Sequence, residues 1–587
     1  MMHRAMLPGR IILLLAVTAL AGRAVAAEPD VPPTAFRVRP YLQNPAADAM
    51  TIRWWSPSAD AGTVTIDGRT LSSRPVAGAE LAYQGAESVD QRHPSTPFLH
   101  TVRVTGLEPA TSYPYSVEQS GETIRAILTT FPLPGEVGRG GGVRLFVTAN
   151  TGAQPESRGA RADWLPTTSL PGGPRPRWVR DQYLTDEATG LRMNLALIAS
   201  RAAESLRAGN PVLASLVGDL VANGGEQRDW DEFWRYTAGP FGSLASRVPL
   251  VAALGDQEMC GGPPSNDLLT DLGGFSGPAS LLGSRKFLAS LEHPGNGAAD
   301  RRHVGRYHRV VFGPVTLLTL DTTNGGRDRT DTDTNHLLDR DKTAHIPDWT
   351  EGSEQWDWLE RELAEARRRG AITFVQFHHP PFSAGIHGQA PGTGPGRDPH
   401  SGQPLRSLVP LLRAQGVRAV FSGHDAHYEH SIVDGVHYYC IGTGGRDLRP
   451  AHEGVVNERQ IFLAHDHAPE HWNGDVLEQG GRHYGHIEID VIRPASVEAA
   501  APAAGTDAPG AGARVAAAGT NPAPAGFEVT ITPVYVFPIL DPARPGTIVS
   551  WERRTYDDTL TFTAGTLPAA PAADGPPPRP SSPEPLP

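Results

Sequence analysis

The sequence predicts an all-β sandwich followed by an α/β domain, a mixed sheet sandwich with flanking helices. Three observations carry that reading. From about residue 34 to residue 134, short stretches alternate apolar and polar residues and are separated by turn signals. Beyond the run GRGGG, continuous apolar stretches alternate with amphipathic helical patterns, as in buried, mostly parallel strands covered by helices. Several of those apolar stretches end on a polar residue at a sharp turn. A chain of 587 residues is also too long for one compact domain.

Taken in order, residues 1–27 read as a signal peptide. MMHRAMLPGR carries positive charge, IILLLAVTALAG is a short apolar core, and AVAA offers small residues for cleavage near Ala26 or Ala27. The apolar core is short for a membrane span, which makes an uncleaved anchor the weaker reading. No later stretch is long and apolar enough to cross a bilayer, so an exported protein, periplasmic or extracellular, is expected. In residues 34–134, MTIRWWSP, GTVTIDG, HTVRVTGLEPATSYPYSVEQ and TIRAILTTF read as strands. The GLEPATSYPYSVE run resembles the corner and late strands of a fibronectin type III-like module.

The α/β domain is expected over residues 141–565. VRLFVTAN, PVLASLVGD, VPLVAALGD, PVTLLTLDTT, ITFVQFHH and VRAVFSGH are its strands. RMNLALIASRAAESLRAG, WDEFWRYTAGPF, SEQWDWLERELAEARRRG and LRSLVPLLRAQG are its helices. Residues 494–525, rich in Ala, Pro, Gly and Thr, read as a low-complexity insertion between two late strands. Residues 566–587 read as a Pro-rich disordered tail. The net charge of −12, with no basic stripe, argues against nucleic acid as a partner. Cys260 and Cys440 are no disulfide framework; one bridge or two separate thiols fit the sequence equally.

Five apolar runs end at Asn150-Thr151-Gly152, Gly218-Asp219, Gly255-Asp256-Gln257-Glu258, His378-His379-Pro380 and Gly423-His424. One Gly-Asp after a strand is ordinarily a turn with a capping carboxylate. In open α/β sheets, however, the ligand crevice lies beyond the carboxyl ends of the strands. Successive ends supplying two carboxylates, two histidines and an amide should therefore converge, in a pattern suited to a metal.

At this point the sequence resembles the calcineurin-like metallophosphoesterase superfamily, and within it the purple acid phosphatases. RPYLQNP and GLEPATSYPYSVE look like their amino-terminal domain; VGDL, LGDQE, QWDWLERELA, FHHPPFSAG and FSGHDAHYE follow in the family's order. The resemblance implies hydrolysis of phosphoesters by metal-activated water between two ions bridged by one Asp. The bridging position matches Asp219, and the fourth motif's His matches His378. His424 keeps the first His of Gly-His-x-His, and Asp256 stands for the Asn of Gly-Asn-His-Glu. Asn150 stands where the family has Asp, Ala222 where it has Tyr, Gln257 where it has the helper His, and Ala426 where it has the second His.

The retained set Asp219, Asp256, His378 and His424 would hold at least one ion, Fe, Zn or Mn, while the second position is stripped. His379 is expected to face away from His378, and His427 to be an outer-sphere or surface imidazole. The histidine-rich stretch 446–486, with His465, His467 and His471, reads better as a solvated loop than as a lid over the site. Asp321 reads as structural. Two functions follow. One is an exported phosphoesterase with an impaired or one-metal centre, acting on a small phosphoester or binding phosphate. The other is a catalytically inactive metal-binding pseudophosphatase serving as a binding or structural protein.

Overall fold

Alternating burial builds the amino-terminal sandwich. In the strand Ser112–Gln119, Tyr115 and Val117 turn inward while their neighbours stay more exposed. They meet Met50, Ile52, Trp54, Val64, Val104 and Leu128 in one core. The two sheets run in the orders Val38–Gln43, Ala49–Ser56, Phe98–Thr105, Val76–Ala77 and Arg69–Ser72, Thr63–Ile66, Ser112–Gln119, Glu122–Thr129. The computed structural model describes residues 35–83, 96–154, 189–261, 277–323, 345–389, 402–445, 448–464, 471–473, 476–494, 526–540, 542–543 and 548–564. The expected signal peptide 1–27, all but the first residue of the expected insertion 494–525, and the expected tail 566–587 lie outside those residues.

Two seven-stranded mixed sheets follow. The first pairs Leu250–Ala253, Val212–Val217 and Gly142–Thr148 in parallel, then continues antiparallel through Gly485–Ile492 and Phe527–Leu540. The second joins Val315–Thr319, Ile372–Gln376, Ala419–Ser422 and Val436–Ile441 in parallel, with antiparallel strands at both edges. These parallel strands are buried along their whole length, because a sheet covered on both faces has no solvent side. Leu145, Val147, Val217 and Val251 of one sheet pack against Leu317, Phe374, Phe421 and Tyr439 of the other. One polar stitch crosses this apolar layer: Ser215 donates to Gln376 Oε1, and Gln376 Nε2 donates to Thr319 Oγ1 at 2.9 Å.

Helices cover the outer faces. Helices α1 (Thr189–Arg207) and α2 (Gln227–Thr237) pack on the first sheet. Helix α3 (Gly277–Ser290) contributes Phe287 to the same core. On the second sheet, α4 (Glu354–Arg368) buries Trp356, Leu359 and Leu363 at helical spacing, and Ser353 caps its start by accepting from Trp356 N at 3.2 Å. The sandwich is packed into this body, since Val38, Tyr41 and Trp55 share a core with Trp230, Phe233 and Trp234. Leu42 N donates to Ala245 O at 2.8 Å, and Arg37 grips Asp231 with contacts of 2.9 and 3.0 Å. Cys260 and Cys440 are separate buried thiols. No helix among the described residues is long and apolar enough to cross a membrane.

A stacked pair of buried imidazoles lies beside the edge strand Leu250–Ala253. The rings of His293 and His308 are 4.2 Å apart and nearly parallel, with Phe287 on the other side of His293. His293 Nε2 accepts from Ala252 N at 3.1 Å, which fixes the ring as a neutral acceptor. Burial lowers His293 from 6.5 to about 3, with Arg53 adding to the effect, and burial holds His308 well below its ordinary value. Below about pH 6.5 the unfolded chain takes up protons that the folded chain refuses. Stability is therefore full above that pH and falls as pH drops, by up to about 1.4 kcal/mol per pH unit for each imidazole. Calorimetric unfolding between pH 7 and pH 5 is expected to show a falling Tm, and His308→Leu a shallower fall. Equal slopes for the two proteins would refute this account.

Candidate metal centre

Five chain segments reach the centre from the carboxyl ends of parallel strands, three from the first sheet and two from the second. Asn150, Asp219 and Asp256 follow Gly142–Thr148, Val212–Val217 and Leu250–Ala253; His378 and His424 follow Ile372–Gln376 and Ala419–Ser422. Asn150, Asp219 and His424 all adopt left-handed backbone conformations, with φ of 55°, 55° and 65°. Such residues turn the chain sharply at the strand end, and their strain is tolerated where the surroundings fix it. Two glycines make the approach possible. A Cβ on Gly218 would lie 2.4 Å from His378 Nδ1, and one on Gly255 would lie 2.4 Å from Asp219 N.

Asp219, Asp256, His378 and His424 each present one donor atom, and the four atoms lie within 4.8 Å of one another, all on buried residues. His378 Nδ1 is 2.8 Å from the Val217 carbonyl, so it carries the proton and donates there. That leaves Nε2 aimed at Asp219 Oδ1 at 3.2 Å and Asp256 Oδ1 at 3.1 Å. His424 Nδ1 lies 3.0 Å from the same Asp256 oxygen. A neutral imidazole fixed in this way points a lone pair at two carboxylates, which repel it. Only a positive charge between them, a proton or a metal ion, reconciles the groups. The donor set therefore fits a cation.

The electrostatics agree. Burial opposes ionisation of Asp256, yet the His424 and His378 rings hold its carboxyl well below the usual carboxylate range. Burial likewise opposes charging of His378, and Asp219 and Asp256 outweigh it, raising the imidazole well above its ordinary value.

Residues 35–130 match the purple acid phosphatase N-terminal domain, and residues 195–428 match the calcineurin-like phosphoesterase family. The chain thus carries a purple acid phosphatase-type N-terminal domain and a calcineurin-like phosphoesterase domain, in a purple acid phosphatase-like fold. The purple acid phosphatase PPD1 from yellow lupin (Lupinus luteus) seeds matches at 15% identity and a TM-score of 0.50, over 88% of this chain and 73% of that one. PhoD matches at 11% identity and a TM-score of 0.50, over 90% of this chain and 91% of that one. At these identities the likeness to both structures is one of fold. No curated protein matches the sequence.

Against the metallophosphoesterase pattern, the altered positions have taken other work. Asn150 is spent on the backbone of His424, accepting from its N–H at 2.9 Å and donating to its carbonyl at 3.2 Å. Gln257 Nε2 donates to Asp256 Oδ2 at 2.8 Å, and its backbone N–H donates to Asp219 Oδ1 at 3.1 Å. Ala222 is half-buried and donates its N–H to Ala153 O. Ala426 is buried, its carbonyl accepting from Arg449 N.

One expectation about the neighbouring histidines is corrected and another narrowed. His379 does not turn away from the site: its ring packs 4.7 Å from that of His424, and Nδ1 lies 2.9 Å from Thr322 Oγ1. His427, expected as an outer-sphere or surface imidazole, is not at the surface but buried, with Nε2 3.0 Å from Glu429 Oε2. Both expectations assumed the side-chain alternation of a strand, whereas residues 378–379 and 424–427 are bends. In the histidine-rich stretch, His465 and His467 lie outside the described residues, and His471 is exposed on the short strand His471–Asn473. Asp321 is structural in the sense expected, paired with Arg306 at 2.7 Å in full burial.

Sequence reasoning assigned no role to Glu258, His387 or Asp425. The His387 ring lies 3.6 Å from that of His424, and its Nε2 is 3.8 Å from Asp425 Oδ1. Glu258 accepts from the backbone N–H groups of Asp219, Leu220 and Gly255 at 2.9, 2.7 and 2.8 Å, and from Val221 at 3.3 Å. It thereby ties the turn that carries Asp219 to the turn that carries Asp256. Burial and the Asp219 carboxylate push the Glu258 carboxyl up to about 7. Its place two residues after Asp256 was the available signal. Glu258→Gln keeps the shape but turns an NH₂ group toward N–H donors, at a cost of roughly 2–4 kcal/mol. Thermal unfolding in excess chelator is expected to show a Tm lower by several degrees; an unchanged Tm would remove Glu258 from this role.

Proposed function

We propose that the chain is an exported phosphoesterase working at a one-metal centre made by Asp219, Asp256, His378 and His424. The observation that carries this reading is the fixed tautomer of His378, whose Nε2 faces two buried carboxylates. Two imidazole nitrogens and two carboxylate oxygens suit Zn²⁺, Fe or Mn²⁺. Such an ion would supply Lewis acidity toward a phosphoryl oxygen and lower the pKa of a bound water.

The chain's own residues set the rest. Val217 O fixes the tautomer of His378, and Gln257 steadies Asp256. Gln257 cannot transfer a proton, so the position offers no acid for the departing alkoxide. General acid catalysis is ordinarily worth ~10²–10⁴-fold. Esters with acidic leaving groups, such as aryl phosphates, should therefore be the competent substrates, and alkyl phosphates should react poorly. The export half of the proposal rests on residues 1–27, with their charged start, apolar core and small-residue end. The second reading, a metal-binding pseudophosphatase, draws on Asn150, whose amide is already occupied by His424.

Metal analysis of the purified protein is expected to give about one transition-metal ion per chain, with turnover of p-nitrophenyl phosphate. Asp219→Asn and His424→Ala should each lower metal content and cut that turnover at least ~10²-fold. Bound metal without turnover of any phosphomonoester or diester would decide for the pseudophosphatase. Turnover unchanged in both variants would overturn the proposed centre.

A further inference from the structure

Asn150 is buried, and its side-chain amide uses both of its polar atoms on one neighbouring residue. Oδ1 accepts from His424 N at 2.9 Å, and Nδ2 donates to His424 O at 3.2 Å. The orientation of the amide is forced, because the His424 N–H can only donate and its carbonyl can only accept. Asn150 is itself anchored, its N–H donating to Gly218 O at 3.0 Å, next to Asp219. Gly423 has no Cβ to block this approach; one placed there would lie 2.6 Å from Asn150 Oδ1.

The residue held in this way needs holding. His424 has φ of 65°, a left-handed conformation that strains a non-glycine residue. In that conformation its Nδ1 reaches Asp256 Oδ1 at 3.0 Å. Paired hydrogen bonds to both backbone groups of His424 offset the strain and fix the direction of the imidazole. A carboxylate cannot do the same work. With no donor, an Asp at this position would set an anionic oxygen against the His424 carbonyl, where the amide now donates.

We propose that Asn150 is a positioning residue that clamps His424 for the cation. The inference rests on the one-metal reading above and deepens it. Asn150 belongs to the first sheet and His424 to the second, so the clamp also fixes one sheet's crest against the other's.

The test compares wild type with Asn150→Ala, Asn150→Asp and His424→Ala by Co²⁺ titration, following affinity, stoichiometry and the visible spectrum of the bound ion. Wild type is expected to bind one equivalent. Asn150→Ala and Asn150→Asp should bind the ion with affinity lower by about 10–100-fold, the usual effect of losing a group that orients a metal ligand. The Co²⁺ spectrum of Asn150→Ala should move toward that of His424→Ala, a change that lost stability alone would not produce. Asn150→Asp is nearly isosteric and keeps the test open should the alanine variant fail to fold. Wild-type affinity and spectrum in the Asn150 variants would overturn the clamp while leaving the one-metal reading intact. No Co²⁺ bound by wild type would overturn both.

Discussion

The centre depends on one electrostatic constraint: two carboxylates and two imidazoles meet in a buried space where their like-signed atoms face each other. Asp219 and Asp256 both direct an oxygen at His378 Nε2, and the Val217 carbonyl has already taken the proton on Nδ1. In a medium of low dielectric such a meeting is costly unless a positive charge completes it. The backbone has been shaped to bring it about. Three residues at strand ends adopt left-handed conformations, two glycines permit approaches closed to any side chain, and Glu258 accepts four N–H groups to hold two turns together.

The constraint also explains the placement of the site across the two sheets. The carboxylates come from the first sheet and the imidazoles from the second. A cation among them would join the sheets at their crest, so that binding it and closing the fold would be coupled. Beneath the crest the sheets are already aligned by Ser215, Gln376 and Thr319, which form a polar bridge inside an otherwise apolar layer. The sandwich braces the same body from the other side through Tyr41, Trp55 and Arg37, which engage Ser290, Trp234 and Asp231. The site thus sits on rigid elements, and its geometry is inherited from packing rather than from any one loop.

Much of this was legible in the sequence. Apolar runs such as PVLASLVGD announce buried strands, and their polar last residues announce a crest where ligands gather. Asp219, Asp256, His378 and His424 do meet there. What alternation could not supply was the geometry of the bends. His379 and His427 were placed by strand logic, yet they lie in turns where consecutive side chains need not oppose one another. The contact between His387 and His424 depends on how the loop after His378 folds back, which no local pattern encodes. Nor does sequence show how an amide is used. Asn150 reads as a lost ligand until its two bonds to His424 are seen.

The two amides, Asn150 and Gln257, share one logic. Each turns its polarity toward a neighbour within the centre, Asn150 to the backbone of His424 and Gln257 to the carboxylate of Asp256. With Asn150 neutral, the two carboxylates of the donor set carry two negative charges, which one divalent ion balances inside a buried space. A third carboxylate at that position would leave an uncompensated anion, which burial penalises by several kcal/mol unless another cation arrives with it. The amide at Asn150 thus leaves the donor set with two carboxylates, whose charge one divalent ion would balance.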